Sequence, residues 1–197
     1  MSSTAKIGRL VAKNAALFLC DMQEKFRGRI AYYPEILQVS KRLLDSAKLL
    51  DIPIVATEQY PKGLGHTVPE LNLSASGIKP FEKSSFSMCI PAVLEKLKSS
   101  GASAVMVCGI EAHVCVQHTT LALIEHGFDV HIIADACSSR TMIDRMYAFK
   151  RMKQSGAFIT TSESAILGLV EGSAHPKFRE VQKIIWESAP DTGLLKK

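Results

Sequence analysis

Three residues whose side chains can cooperate in thiol chemistry follow apolar or extended stretches of the sequence. Asp21 comes directly after AALFLC, Lys83 lies in FEKSSFS, and Cys115 lies six residues after Gly109 in GIEAHVCVQHT. A thiolate can attack a carbonyl carbon, a carboxylate can take the thiol proton, and an ammonium favours the negative sulfur. Backbone N–H groups at the start of a helix can hold an oxyanion. The trio therefore predicts acyl transfer through a thioester.

Each member of the trio also has an ordinary structural explanation. Free cysteine is among the most buried residue types, an Asp after a strand is often a helix N-cap, and a Lys in a polar loop is usually solvated. The other cysteines beside strand-like runs, Cys20, Cys108 and Cys137, are predicted to be inert core thiols. Spacing alone leaves these alternatives open.

The elements that must position the trio are predicted from apolar runs that alternate with helical patterns. Short apolar runs predict strands at 15–20, 53–58, 103–109, 129–135 and 157–163. Helical spacing predicts helices at 36–50, 92–101, 116–127, 143–156, 162–170 and 178–188. The stretch 60–77, rich in Gly, Pro and Ser, predicts a long irregular loop.

This alternation indicates an α/β fold, with a mainly parallel sheet and helices on both faces. Ligands of such open sheets bind beyond the carboxyl ends of the strands. We therefore expect Asp21, Lys83 and Cys115, which are far apart in sequence, to meet at one rim of the sheet.

The composition limits the classes of function. The 197 residues are 47% hydrophobic and 22% charged, which predicts a single domain over 1–197, with a core of about 12–170 and a helical extension of about 173–197. The net charge is +5, but no Lys/Arg run is interleaved with aromatics, which argues against nucleic-acid binding. No apolar run approaches the ~18 residues that span a bilayer, so no membrane partner is expected.

The five cysteines occur without a CxxC spacing, which is typical of free thiols in a reducing compartment. The stretch before the first strand carries Lys6, Arg9 and Lys13 and no acid, which is also a feature of mitochondrial transit segments. An exposed tail explains these residues more simply. We expect a cytoplasmic protein, with a mitochondrial location as the lesser alternative.

Five motifs, in order, resemble the isochorismatase-like cysteine hydrolase superfamily, which includes nicotinamidases and N-carbamoylsarcosine amidohydrolases. They are LFLCDMQEKF (17–26), PIVATEQYPKGLG (53–65), FEKSSFS (81–87), MVCGIEAHVCVQHT (106–119) and VHIIADACSSR (130–140). The forms GIEAHVCVQHT and ATEQYPKGLG are similar to those of eukaryotic isochorismatase domain-containing proteins. The resemblance implies a three-layer αβα fold with a sheet of about six strands.

The resemblance also implies roles for the trio. The family's catalytic Asp, Lys and Cys fall on Asp21, Lys83 and Cys115, with the Asp as base and the Lys orienting and stabilising charge. The family motif often has a cis peptide bond, which falls on Ile110–Glu111. That bond would aim the Glu111 N–H, together with the Cys115 N–H, at one oxyanion position.

The sequence departs from nicotinamidases where those enzymes carry an Asp-x-His metal motif. Gln59 stands about where the Asp would be, and no His follows it by two residues. His66 is alone, and a lone His in a loop is usually solvated. We therefore expect no metal and no cofactor, with Glu58–His66 as the remaining candidate for a metal pair.

Aromatic residues near the predicted rim are candidate walls for a small, flat or apolar acyl group. These are Phe26, Tyr60 and Phe86, to which His118 is added because it follows Cys115 by three residues on a predicted helix. Ordinary core aromatics, and a His at a helix or subunit contact, explain them as well.

Arg140 follows the predicted strand 129–135 and has two possible roles. It could bind a substrate carboxylate through two parallel hydrogen bonds, or it could pair with Asp135 or Asp144. The structural pairing is the preferred prediction.

Family members are usually oligomers, so the resemblance implies a homo-oligomer, a dimer or a tetramer. The amphipathic stretch FREVQKIIWES contains the single tryptophan, Trp186. This stretch could contribute to a subunit interface or pack on its own domain.

The function that the sequence favours is metal-independent cysteine hydrolysis of a small-molecule substrate, amide-like or isochorismate-like. In the family that the sequence resembles, isochorismatases can cleave a vinyl ether without the cysteine. The presence of Cys115 therefore favours hydrolysis of an amide or a related carbonyl compound. The alternative is a family member whose site has drifted to an oligomeric binding or regulatory role. A third hypothesis, nucleic-acid processing, is suggested only by the positive charge.

Overall fold

A computed structural model describes residues 6–195, and their strands form one sheet of six parallel strands. Residues 1–5 of the basic amino-terminal stretch and residues 196–197 of the predicted extension lie outside the described residues. The strands are β1 (Ala15–Cys20), β2 (Ile54–Gln59), β3 (Phe81–Lys83), β4 (Ala104–Ile110), β5 (Asp129–Ser138) and β6 (Phe158–Thr160). Their order across the sheet is β3-β2-β1-β4-β5-β6, and every neighbouring pair is parallel.

Helices cover both faces of this sheet. They are α1 (Tyr33–Leu49), α2 (Pro61–Leu64), α3 (Pro91–Ser99), α4 (Gln117–Glu125), α5 (Met142–Gln154), α6 (Ser162–Val170) and α7 (Phe178–Ile184). α1, α6 and α7 pack on one face, and α3, α4 and α5 pack on the other. The predicted three-layer αβα fold is confirmed.

The side chains of each strand alternate between the two layers of the core. In β1, Leu17 and Leu19 pack in the layer of α1, whereas Phe18 and Cys20 pack in the layer of α3, α4 and α5. Because both faces of the strand are covered, all its residues are buried and the sequence is continuously apolar.

The structure differs from the prediction mainly in the long loop and at element ends. The stretch 60–77 contains α2 and two short 3-10 turns. β5 continues beyond 135 to Ser138, and the helix predicted at 178–188 ends at Ile184. Trp186 follows that end and is 73% exposed, whereas Val181 of the same stretch is fully buried and Phe178 and Ile185 pack against the core layer of α1. Among the described helices, none is long and apolar enough to cross a membrane.

Candidate active site

The topology of the sheet brings the predicted trio to one edge. Asp21 follows β1, Lys83 ends β3, and Cys115 lies in a π-helical turn, Ala112–Val116, between β4 and α4. β1 has β2 on one side and β4 on the other. The strand order therefore runs outward from β1 in one direction to β3 and in the other direction to β6, so β1 marks the point at which the order of the strands reverses. Ligands of open α/β sheets bind at such positions.

Asp21 and Lys83 are in direct contact. The ammonium nitrogen of Lys83 lies 2.7 Å from Asp21 Oδ2, and the side chains of Lys83 and Asp21 are 0% and 2% exposed, respectively. The other oxygen, Oδ1, accepts a hydrogen bond from the Thr57 hydroxyl at 2.7 Å. The Asp21 carboxylate is therefore bound by side chains, whereas a helix N-cap would accept from backbone N–H groups.

Lys83 has three further acceptors around its ammonium. Gln59 Oε1 lies at 2.7 Å, and the carbonyl oxygens of Ser85 and Phe86 lie at 3.2 and 3.1 Å. Gln59 is paired with Lys83 across β2 and β3, which places its side chain beside the ammonium. The Lys83 side chain is thus held in one position by groups from three segments.

The ammonium of Lys83 is kept charged by its surroundings. Burial alone would lower its pKa, but the coulombic attraction of Cys20, Asp21 and Cys115, with the hydrogen bond to Asp21, raises the pKa above its ordinary value. The buried Cys115 therefore lies within the field of a positive charge.

Cys20, which the sequence predicts to be an inert core thiol, contacts both Asp21 and Cys115. Its thiol lies 3.6 Å from Asp21 Oδ2 and also hydrogen-bonds the Cys115 side chain. Burial, followed by the Cys115 hydrogen bond, raises the pKa of Cys20 well above its ordinary value, so it stays a neutral thiol. The signal in the sequence was its position next to Asp21 at the end of a buried strand. Cys108 and Cys137 are fully buried, as predicted.

The backbone before Cys115 turns without a cis peptide bond. Residues 6–195 contain none, so the Ile110–Glu111 bond is trans and the predicted cis bond is wrong. The reversal is made by positive φ angles of 129° at Gly109 and 56° at Glu111. The Glu111 carbonyl then accepts from the N–H groups of Val114 at 2.9 Å and Val116 at 3.3 Å, which closes the turn around Cys115.

The predicted wall residues do not surround a single pocket. Phe26 lines a cavity of about 460 Å³ that also includes Glu111. Tyr60, which is 60% exposed, lines a second cavity of about 330 Å³ that reaches Lys83. Phe86 is 54% exposed, and its ring packs against that of His118 with centroids 5.8 Å apart.

Arg140 does not form the structural ion pairs predicted for it, because both acids have other partners. Asp135 accepts from the N–H and hydroxyl of Ser162, at 2.7 and 2.6 Å, at the start of α6. Asp144 accepts from the Thr141 hydroxyl at 2.6 Å at the start of α5. The preferred prediction for Arg140 was therefore wrong.

Glu58 and His66 form a hydrogen-bonded clamp on the long loop. Glu58 accepts from the N–H and hydroxyl of Thr67, at 2.6 and 2.8 Å, and its Oε2 lies 2.9 Å from His66 Nδ1. Burial alone would raise the pKa of Glu58, but the bonds from Thr67 and His66 lower it below its ordinary value. Within residues 6–195, no three His, Cys, Asp or Glu side chains gather as a group that could hold a metal ion.

Comparisons with known proteins agree with this fold. A family model described as the isochorismatase domain matches residues 15–164. Isochorismatase domain-containing protein 2 of Xenopus laevis is 54% identical over 196 residues, which covers 99% of this chain and 95% of that protein.

Two solved structures extend the comparison. One, described as MAR1 ribonuclease from Caenorhabditis elegans, is 55% identical with a TM-score of 0.91, covering 96% of this chain and 98% of that one. The YcaC gene product of Escherichia coli, described as an octameric hydrolase of unknown specificity, is 24% identical with a TM-score of 0.86. That match covers 96% of this chain and 95% of that one, and its level of identity supports the shared fold alone.

Proposed function

The chain belongs to the isochorismatase family, and from this premise we propose that it is a metal-independent cysteine hydrolase of a small amide-like or isochorismate-like substrate. One observation carries the proposal. The buried Lys83–Asp21 pair lies beside Cys115, so base, cation and nucleophile occupy one water-poor location. Such an arrangement is typical of activated nucleophiles.

For an amide-like substrate, which has a carbonyl carbon, the proposed reaction has two steps. Asp21 takes the Cys115 proton, the sulfur bonds to the carbonyl carbon, and the displaced π pair forms an oxyanion near the helix start and Lys83. Collapse of this intermediate expels the leaving group, which takes the proton back from Asp21, and leaves a thioester. Water then attacks the thioester, Asp21 accepts its proton, and the acid product leaves with the return of the thiol.

Selective alkylation tests this mechanism without knowledge of the substrate. Wild type, Asp21→Asn and Lys83→Met are labelled with iodoacetamide between pH 5 and 9, and each cysteine is quantified by mass spectrometry. We expect Cys115 to label faster than the other four cysteines, and each variant to slow its labelling by about tenfold or more.

The controls are internal and matched. Cys89, which is half-buried, reports general reactivity, and Asp51→Asn and Lys62→Met change exposed charges. If Cys115 labels no faster than Cys108 and ignores both site variants, the alternative of a drifted binding or regulatory protein replaces the hydrolase. A positive result leads to a screen of small amides, carbamoyl compounds and vinyl ethers.

A second candidate function is RNA processing, favoured by the similarity to the structure described as a ribonuclease. The net charge of +5 is compatible with it. Its test is binding of a short single-stranded RNA across a salt series, because phosphate contacts make affinity fall steeply with salt. Absence of salt-dependent binding and of cleavage would remove this candidate.

We also expect a homo-oligomer. α5 exposes Ile143, Met146 and Tyr147, an apolar surface of the kind that subunits cover. Light scattering on the purified chain gives the mass directly, and a monomer at micromolar concentration would contradict the expectation.

A further inference from the structure

Two thiols meet at the candidate active site. Cys20 ends β1, Cys115 lies in the turn before α4, and the two side chains are in hydrogen-bond contact. Both pack in the core layer that contains α3, α4 and α5. Cys20 is fully buried, whereas Cys115 keeps 6% of its surface exposed. A small molecule that enters the site can therefore reach Cys115, while Cys20 is closed to solvent.

The surroundings of Cys20 differ from those of the other core thiols. All five cysteines are free. Cys89, Cys108 and Cys137 donate to main-chain carbonyls, at 3.9, 3.5 and 3.6 Å, respectively. The Cys20 thiol instead lies 3.6 Å from a carboxylate oxygen of Asp21 and contacts a second thiol. A core thiol that only packs needs no such neighbours, so the placement of Cys20 calls for a chemical explanation.

The register of the sheet holds Cys20 beside the turn that carries Cys115. Cys20 of β1 is paired with Gly109 of β4, and Cys137 of β5 is paired with the same glycine on its other side. An added Cβ at Gly109 would lie only 2.8 Å from Cys20 Cβ, so the glycine permits the close approach of β1. Of the two cysteines that flank Gly109, Cys20 is the one in contact with Cys115.

The charges around the pair give its two members different roles. The ammonium of Lys83 attracts Cys115, and a neighbouring cation favours the reactive thiolate. Burial, followed by the hydrogen bond with Cys115, raises the pKa of Cys20 well above its ordinary value, so Cys20 rests as a neutral thiol. Oxidant-sensitive cysteines combine thiolate character and access with a second thiol nearby, and Cys115 has the cation, the exposure and the neighbour.

We propose that Cys115 is a site of reversible oxidation by hydroperoxides, and that Cys20 traps the oxidised sulfur as a disulfide. The proposal goes beyond the hydrolase function and shares with it only the requirement that Cys115 is the reactive thiol. The disulfide removes the nucleophile, so hydrolysis stops until a thiol reductant restores the pair. Trapping also protects Cys115 from irreversible conversion to sulfinic and sulfonic acids.

The oxidation takes two steps, with hydrogen peroxide as the simplest oxidant. Asp21 takes the Cys115 proton, the sulfur bonds to one peroxide oxygen, and the O–O bond breaks. The departing hydroxide takes the proton from Asp21, which leaves a sulfenic acid on Cys115 and one water. Cys20 then gives its proton to Asp21 and attacks the Cys115 sulfur. The S–O bond breaks, the hydroxide leaves as water with that proton, and an S–S bond of about 2 Å remains.

Peptide mapping of the wild-type protein tests the proposal directly. Reduced protein is treated with one equivalent of hydrogen peroxide, and the remaining thiols are blocked with N-ethylmaleimide. Trypsin with a glutamate-specific protease then releases each cysteine in a peptide of its own, with Cys20 in 14–24 and Cys115 in 112–125. We expect these two peptides to be linked, and the link to disappear on reduction. Oxidation of Cys115 without this link, or a link to another cysteine, would overturn the proposal.

Recovery after oxidation tests the role of Cys20. Peroxide-treated protein is reduced with dithiothreitol, and iodoacetamide labelling of Cys115 is measured. Cys20→Ala should recover at least about threefold less labelling than wild type, because its sulfenic acid is left to oxidise further. Cys20→Ser, which keeps the shape of the side chain, should behave like Cys20→Ala. Cys137→Ala is the matched control on the other side of Gly109 and should recover like wild type. Equal recovery in all of these proteins would contradict a trapping role.

Equilibration in mixtures of oxidised and reduced glutathione separates this proposal from the hydrolase mechanism. The amount of disulfide at equilibrium depends on the stability of the bond and is independent of how fast Cys115 reacts. Rapid iodoacetamide labelling of Cys115 without any link between 14–24 and 112–125 would overturn the thiol pair and leave the hydrolase standing. Slow labelling together with that link at equilibrium would support the thiol pair and contradict the hydrolase mechanism.

Discussion

The ammonium of Lys83 lies 2.7 Å from the carboxylate of Asp21, and both side chains are almost completely withdrawn from water. A buried pair of this kind is costly to break, because each charge left alone keeps its desolvation penalty and loses its partner. The pair therefore links the stability of the fold to the candidate active site.

Lys83→Met should destabilise the protein by about 3–5 kcal/mol, since it leaves the Asp21 carboxylate buried without its cation. Urea unfolding followed by fluorescence of Trp186 and by circular dichroism measures the change. Lys62→Met removes an exposed lysine and should change the free energy of unfolding by less than about 0.5 kcal/mol.

A double-mutant cycle separates the pair from its surroundings. Asp21→Asn with Lys83→Met should cost less than the sum of the two single changes, by about 0.5–3 kcal/mol. Strict additivity would show that the ion pair contributes nothing beyond the packing of its two side chains.

Gln59→Glu should slow the alkylation of Cys115 at pH 7. Gln59 Oε1 accepts from Lys83 at 2.7 Å, so a glutamate there places a second carboxylate beside the ammonium and reduces the positive field at the sulfur. We expect the labelling rate to fall by about threefold or more. Mass spectrometry after timed iodoacetamide labelling gives the rate.

Gln182→Glu is the control for this charge change, because Gln182 is exposed on α7. It should leave the labelling rate of Cys115 unchanged. An unchanged or higher rate in Gln59→Glu would mean that the charge of Lys83 does not activate the Cys115 thiol.

The contact of Asp21 with Lys83 follows from features that are local in the sequence. The run Ala15–Cys20 is apolar throughout and ends at Asp21, and the predicted strand 15–20 matches β1 residue for residue. Parallel strands share a carboxyl edge, so their terminal residues can be expected to meet. The order of the elements predicted this edge of the sheet, although β3, which carries Lys83, was not among the predicted strands.

Other parts of the site depend on contacts that no local pattern contains. The loop 60–77 is ordered by Glu58, which binds Thr67 within the loop, and by the amide of Gln23, which lies 42 residues before its acceptor Gly65. The role of Cys20 depends on the register that pairs it with Gly109 across β1 and β4. Its apolar neighbours predicted burial correctly, but burial alone did not show that its thiol lies between Asp21 and Cys115.

Gly109→Ala should destabilise the protein and displace the turn that carries Cys115. Gly109 has a φ of 129°, which side chains with a Cβ rarely adopt, and an added Cβ would overlap the carbonyl oxygen of Cys20. Strain and overpacking together predict a loss of about 3 kcal/mol, measured by urea unfolding. The rate of Cys115 alkylation in the folded variant should fall as well.

Gly168→Ala is the matched control, and we expect it to stabilise the protein where Gly109→Ala destabilises it. Gly168 lies in α6 with nothing near the position of an added Cβ, so alanine should stabilise the helix by about 0.5–1 kcal/mol. If Gly109→Ala were as stable as wild type, the close approach of β4 to Cys20 would not be required for the fold.

The clamp of Glu58 on the loop should open in acid. The pKa of Glu58 is lowered in the folded protein, so its contribution to stability is present above its ordinary value of about 4.3 and is lost as pH falls through the lower folded value. The hydrogen bond to Glu58, with some attraction from Glu82, raises the pKa of His66. The contribution of His66 is therefore present below about pH 6.5 and is lost as pH rises through its folded value.

Both groups are charged between these limits, so the loop 60–77 should be best protected from hydrogen exchange near pH 5. We expect protection, corrected for intrinsic rates, to fall steeply below about pH 4 and more gently above about pH 7, because His66 is largely exposed and its attraction is screened. Glu58→Gln should remove the loss of protection in acid, and His66→Ala should remove only the gentler loss at higher pH. His126→Ala, which changes an exposed site, should leave both losses in place. Equal loss of protection in β4 peptides at the same pH would indicate global unfolding and would refute a local clamp.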